Sequence, residues 1–114
     1  MTRRTAYRDF WAGVGDRFPD LGGAVSTQYY AENEQRLFNE LLPPLEGLKI
    51  LKTDLWDEAK NTRILAWAAS RGARAYGVDI SEPTVIQAHA AFNGHPLHGA
   101  VGDVRELRKL LQTT

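Results

Sequence analysis

Hydrophobic and polar positions follow two different periods along most of this chain. From residue 28 to residue 42, apolar side chains recur every three or four positions, which predicts an amphipathic helix that Pro43 and Pro44 end. Short apolar runs predict three strands, at residues 48–51, 75–80 and 97–101. The segments between and after the strands predict three further helices, at residues 57–71, 82–92 and 104–111.

Strands that alternate with helices are typical of a parallel sheet built from βαβ units. Right-handed crossovers place the strands in the order 3-2-1, so the predicted fold class is α/β with a Rossmann-like parallel sheet. We interpret residues 28–114 as a partial Rossmann-like cofactor-binding domain. Residues 1–27 contain several glycines and show no sustained period, which predicts an irregular N-terminal arm or lid, although residues 5–12 could form a short helix.

Composition narrows the classes of partner. Lysine plus arginine and aspartate plus glutamate number 14 each, so the formal net charge is zero. A neutral chain lacks the basic surface that binds nucleic acids or anionic membranes, and we predict neither partner. The absence of cysteine excludes disulfides, zinc–thiolate sites and cysteine nucleophiles, and we expect no metal site. No apolar run matches a signal peptide or a membrane span, which predicts a cytoplasmic protein.

An aspartate stands at or just after the end of each predicted strand: Asp54, Asp79 and Asp103. Ligands of open parallel sheets bind outside the carboxyl ends of the strands, so we expect the three side chains at one edge. Asp79 can accept hydrogen bonds from both hydroxyls of a ribose. Since Ser81 can already cap the helix that follows, we favour this ribose interpretation over a capping role for Asp79.

The other two aspartates have alternative interpretations. Asp103 would lie beside an adenine, its carboxylate facing the exocyclic amine and the backbone N–H of Val104 facing a ring nitrogen. Aspartate is equally suited to cap the last helix. Asp54 and Glu58, in the turn after strand one, suit a ligand ammonium group and repel a pyrophosphate. Acidic residues also favour helix N-termini without any ligand.

Ile80 and Tyr30 complete the candidate binding residues. Ile80 directly follows Asp79 in the sequence. Tyr29 and Tyr30 could fold over a ligand, and core packing is the alternative for an aromatic pair at the start of a helix. No residue is identified as catalytic.

Three segments resemble the class I S-adenosylmethionine-dependent methyltransferases. They are Ile-Leu-Lys-Thr-Asp-Leu-Trp-Asp-Glu-Ala at residues 50–59, Gly-Val-Asp-Ile-Ser at 77–81 and Gly-Asp-Val-Arg-Glu-Leu at 102–107. The resemblance extends from about residue 28 to residue 107. It implies S-adenosylmethionine as the small-molecule cofactor, and transfer of a methyl group to an acceptor that this chain does not identify.

The sequence departs from that family in two respects. The family's first motif contains a glycine-rich loop, whereas no glycine lies between Gly47 and Gly72, so the first motif is a variant. The family's sheet has seven strands, and this chain supplies three, which suggests a truncated domain. Strand one would then be an edge strand with unpaired backbone groups, and we expect a homodimer or another partner to bind along it.

Two alternative functions remain open from the sequence. A non-catalytic Rossmann-like fragment or interaction module would explain the glycine-free turn and the missing strands. An NAD-dependent oxidoreductase domain would share the acidic residue that ends strand two. It would, however, require the Gly-x-Gly-x-x-Gly turn that this chain lacks.

Overall fold

The computed structural model describes residues 2–106 and 108. Within that part of the chain the elements are α1 (Arg3–Arg17), α2 (Val25–Leu41), β1 (Lys49–Lys52), α3 (Trp56–Lys60), α4 (Ile64–Ser70), β2 (Arg74–Asp79), α5 (Glu82–Ala91) and β3 (Leu97–Val101). A 3-10 turn at Val104–Glu106 follows β3. The rest of the helix predicted over residues 104–111, apart from residue 108, lies outside the described residues.

The three strands form one parallel sheet in the order β1-β2-β3. The predicted 3-2-1 order and the α/β, Rossmann-like fold class are thereby confirmed. In this register Ile50 lies beside Ala75, which lies beside Leu97. All three side chains therefore point to the same face of the sheet.

Helices α3, α4 and α5 cover that face and form the core with it. The cluster of buried residues is built around Leu55, Leu65 and Phe92, and Ala75 and Leu97 join it from the sheet. Residues of the opposite face lie beside one another as Leu51, Tyr76 and His98. There Leu51 and His98 are exposed, and the rings of Tyr76 and His98 stack at 5.0 Å.

Helix α1 corrects the expectation that residues 1–27 are irregular. Thr2 caps the helix, since its hydroxyl accepts a hydrogen bond from the N–H of Thr5 at 3.1 Å. The helix ends where Phe18 adopts an extended conformation before Pro19, as residues preceding proline prefer. Gly13 and Gly15 lower the intrinsic helix propensity of this segment, and packing against α5 compensates for it.

The helix predicted over residues 57–71 is two helices, α3 and α4. Between them Arg63 has a φ of 56°, a left-handed conformation that interrupts the hydrogen-bond ladder. The N–H groups of Leu65 and Ala66 bond to the carboxylate of Glu58 at 2.9 and 3.3 Å, so α4 begins on a side chain from α3. Alanine-rich periodicity could not reveal this break, because its cause is a contact formed in the folded chain.

Gly77 in β2 allows the fully buried Leu55 to lie directly on the sheet. A Cβ at residue 77 would come within 3.0 Å of Leu55 Cγ and closer still to its Cδ2. We expect Gly77→Ala to lower the free energy of unfolding by about 1–3 kcal/mol through overpacking, measured by urea denaturation. Gly23→Ala is the control, since nothing lies within 4 Å of its Cβ position. Equal stability of the two variants would contradict the close contact.

Within residues 2–106 and 108, no helix has the length and apolar character needed to cross a membrane.

Candidate functional site

A cavity of about 710 Å³ lies at the carboxyl ends of the three strands. This volume is within the range of small-molecule sites, about 300–1,000 Å³. The turn after β1, the end of β2 and the turn after β3 each contribute to it, and α1 supplies a further wall. The lining residues are Tyr7, Trp11, Thr53, Asp54, Trp56, Asp57, Asp79, Ile80, Ser81, Thr84, Gly102, Asp103, Val104 and Arg105.

Asp79 joins the turns that follow β1 and β2. Its Oδ2 accepts a hydrogen bond from the N–H of Leu55 at 2.8 Å, and its Oδ1 accepts one from the N–H of Ser81 at 2.8 Å. Its backbone carbonyl accepts a third bond, from the N–H of Gly102 after β3. A carboxylate has about four acceptor positions, and the backbone N–H of Ile80 also acts on this one, so at least one position remains for a ligand hydroxyl group. Asp79 therefore holds the strand ends together and still lines the cavity.

Burial dominates the electrostatics of Asp79. Burial raises the pKa of its carboxyl group above the ordinary value for aspartate, while the hydrogen bonds from the backbone N–H groups of Leu55 and Ser81 lower it. The nearby negative charge of Asp54 adds to the increase. Because the folded-state pKa is raised, the contribution of Asp79 to the unfolding free energy falls as the pH rises through that pKa.

Asp54 lies in the turn before α3 and lines the cavity. Its Oδ1 accepts a hydrogen bond from the N–H of Trp56 at 3.1 Å, so it orders the first turn of α3. This bond agrees with the alternative to ligand binding, in which Asp54 stabilises the N-terminus of a helix. Asp54 is exposed toward the cavity, and its other oxygen carries no hydrogen bond to the part of the chain that is described.

Asp103 and Arg105 form a pair at the end of β3. The guanidinium of Arg105 donates to both carboxylate oxygens of Asp103, and the backbone N–H of Arg105 donates to its Oδ1 at 2.9 Å. These bonds raise the pKa of Arg105 further above its ordinary value, and the residue stays cationic. Asp103 thus orders the 3-10 turn, which agrees with the alternative prediction that it caps the last helix. It also lines the cavity beside Val104. Its predicted contact with an adenine stays a prediction.

Glu58 does not line the cavity, and this corrects its expected position. Its side chain is fully buried, where it accepts hydrogen bonds from Leu65 and Ala66 and pairs with Lys52 at 3.3 Å. A contact with a ligand ammonium group would require Glu58 to abandon these partners. The acidic residue four positions after Asp54 is therefore a helix cap within the core.

Tyr30 also lies apart from the cavity. It is 60% exposed on α2, and its ring meets that of Tyr29 edge-on at 5.7 Å. The structure thus supports neither the folding of this pair over a ligand nor its packing in the core. Asp54, Asp79, Ile80, Asp103 and Val104 are the predicted binding residues that the cavity brings together.

Sequence reasoning missed three aromatic rings of the cavity wall: Tyr7, Trp11 and Trp56. Tyr7 and Trp11 are four positions apart and so share one face of α1. That spacing is a sequence sign of a shared helix face, but the glycines that follow it favour the prediction of an irregular segment. Trp56 opens α3 and packs edge-on against Phe18 at 4.8 Å, which brings the end of α1 against the turn after β1.

The charges of the lining residues disfavour a ligand with a phosphate group. Among the lining side chains that the structure describes, Arg105 is the one guanidinium or ammonium group, and Asp103 already binds it. The N–H of Leu55, which a phosphate would need in the first turn, donates to Asp79. Carboxylates and aromatic rings therefore dominate the cavity, a combination that favours neutral or cationic ligands over anions.

No protein-family model matches the sequence, and no curated protein matches it. Among solved structures, the chain is similar to a TehB-like S-adenosylmethionine (SAM)-dependent methyltransferase from Corynebacterium glutamicum, with 20% identity and a TM-score of 0.46. The similarity covers 89% of this chain and 45% of that protein, so this chain spans less than half its length.

Proposed function

We propose that this chain binds S-adenosylmethionine and is the cofactor-binding half of a methyltransferase. The observation that supports this proposal most is the cavity at the carboxyl ends of the strands, where Asp79 lines the wall and keeps an acceptor position for a ribose. The resemblance of residues 50–59, 77–81 and 102–107 to the class I family supports the choice of cofactor.

The residues of the cavity fit this cofactor by charge and shape. Asp79 would accept from the ribose hydroxyls, and Asp103 with the N–H of Val104 would face the adenine. Asp54, exposed in the turn after β1, would face the ammonium group of the methionine portion. When bound, S-adenosylmethionine supplies a methyl group on a positively charged sulfur. The contribution of this chain is to hold the nucleoside and exclude water, since methyl transfer depends mainly on positioning.

The same features disfavour a dinucleotide. A pyrophosphate binds at a helix N-terminus whose N–H groups are free, usually after a glycine-rich turn. Here Asp79 accepts from the N–H of Leu55, and Asp54 accepts from that of Trp56. Two carboxylates thus occupy the donors and place negative charge where the phosphates would lie. This arrangement supports the cofactor proposed over NAD.

Calorimetric titration of the purified chain distinguishes these ligands. We expect S-adenosylhomocysteine, the stable product form of the cofactor, to bind, and NAD to give no heat of binding above dilution. Binding of NAD alone would replace the proposed function with that of an oxidoreductase domain. If neither ligand bound, the proposed function would be refuted and the interaction module would be favoured.

An interaction module is a second candidate, and exposed side chains on one face of the sheet favour it. Parallel sheets are usually covered on both faces, whereas Leu51 and His98 are exposed on the face opposite α3, α4 and α5. Strand β1 is also an edge strand of the three-stranded sheet. Self-association or partner binding along that edge stays a prediction, which sedimentation at increasing concentration would test.

A further inference from the structure

Helix α1 forms the outer wall of the cavity with two aromatic rings. Tyr7 and Trp11 line it from successive turns, and their rings meet edge-on at 6.3 Å. Tyr7 is 49% exposed and Trp11 is 39% exposed, so both rings leave apolar surface open to the cavity. A ligand in the cavity would cover this apolar surface.

Tyr7 is linked to the turn after β3 through Arg105. The guanidinium of Arg105 lies 5.4 Å above the ring of Tyr7 while it binds the carboxylate of Asp103. An aromatic ring from α1 is thereby held next to the residues expected to face a purine. A purine can stack on such a ring, because every base has a π-face.

A close contact at Gly15 sets the position of α1. A Cβ at residue 15 would collide with the hydroxyl oxygens of Ser81 and Thr84, which are buried at the start of α5 and line the cavity. The carbonyl of Gly15 also accepts a hydrogen bond from Nε2 of Gln87 at 3.2 Å. Only a residue without a side chain allows α1 to approach α5 this closely.

We propose that α1 is part of the ligand site: Tyr7 and Trp11 contact the purine of the ligand, and Gly15 holds them in position. This inference rests on the proposed function, since it assumes a nucleoside in the cavity. Tyr7 and Trp11 are the binding residues, and Gly15 is a positioning residue that acts through them. Helix α1 therefore contributes to affinity although it lies outside the sheet and its crossover helices.

Two alanine substitutions within α1 test the role of Gly15. Both Gly15→Ala and Gly13→Ala increase the helix propensity of α1 equally, but a Cβ at residue 13 meets only the guanidinium of Arg17, at 3.5 Å. We expect Gly13→Ala to bind S-adenosylhomocysteine within about twofold of the unmodified chain, and Gly15→Ala to bind it about tenfold more weakly or worse. Hydrogen exchange should show lower protection of α1 amides in Gly15→Ala alone.

A second pair of variants tests the rings directly and does not depend on how Gly15→Ala folds. We expect Tyr7→Ala to weaken binding of S-adenosylhomocysteine about fivefold or more, and Tyr29→Ala, exposed on α2, to leave it unchanged. Suppose that the unmodified chain binds S-adenosylhomocysteine but that the two variants of each pair bind it with equal affinity. The role of α1 is then refuted and the proposed function stands. If the unmodified chain does not bind, both proposals fail.

Discussion

Replacing Glu58 with alanine is expected to lower the free energy of unfolding by about 3–5 kcal/mol, the cost of breaking a buried ion pair from one side. The carboxylate is fully buried and accepts from the N–H groups of Leu65 and Ala66 as well as from Lys52. Its loss leaves the first turn of α4 uncapped and a partly buried ammonium group without this partner. Urea denaturation followed by circular dichroism measures the effect.

Two further substitutions separate the causes of that loss. Glu58→Gln keeps an acceptor oxygen for one N–H and removes the charge, so we expect a smaller decrease in stability. Glu32→Ala removes an exposed glutamate from α2 and should change stability by less than about 0.5 kcal/mol. If Glu58→Ala kept its stability and lost affinity for S-adenosylhomocysteine instead, the prediction from the sequence that Glu58 contacts the ligand would be right.

Replacing Asp79 with alanine should affect both stability and binding. The N–H groups of Leu55 and Ser81 each lose a charged acceptor at 2.8 Å, and relief from burying the charge offsets part of the cost. We expect a loss of about 2–3 kcal/mol in unfolding free energy. We also expect S-adenosylhomocysteine to bind about 10- to 150-fold more weakly, the effect of losing a charge-assisted hydrogen bond.

Asp79→Asn is the matched variant for this prediction. Asparagine has one acceptor oxygen, so its NH2 group would face one of the two backbone N–H donors. Its stability should fall between those of the unmodified chain and Asp79→Ala, measured by the same denaturation. A variant that lost stability and bound the ligand with unchanged affinity would show that Asp79 serves the turns alone.

The sheet could be predicted from the sequence because each of its elements carries a local signal. The apolar runs gave the three strands to within a residue or so, and their alternation with helices gave the order. The cap of α5 was also correct, since Ser81 Oγ accepts from the N–H of Thr84. Parallel strands leave their carboxyl ends at one edge, so the grouping of Asp54, Asp79 and Asp103 followed from topology.

The features that could not be predicted depend on contacts between distant segments. Helix α1 contains glycines that local propensity disfavours, and Gly15 is explained only by its approach to Ser81 and Thr84. Glu58 looked like a ligand residue because it lies near Asp54 in sequence. The break at Arg63 carries the chain back so that Glu58 caps α4 instead. The aromatic wall was missed for the same reason, since its position depends on where α1 packs.

The glycine-free turn at residues 53–55 has a consequence for how a ligand is selected. Non-glycine residues have fewer conformations than glycine, and Asp79 fixes this turn further by its bond to Leu55. The turn is thus ordered before a ligand arrives, and binding requires little further loss of conformational entropy there. A rigid turn cannot reshape itself around a bulkier group, so selectivity at this edge should depend on ligand shape more than on adaptation of the chain.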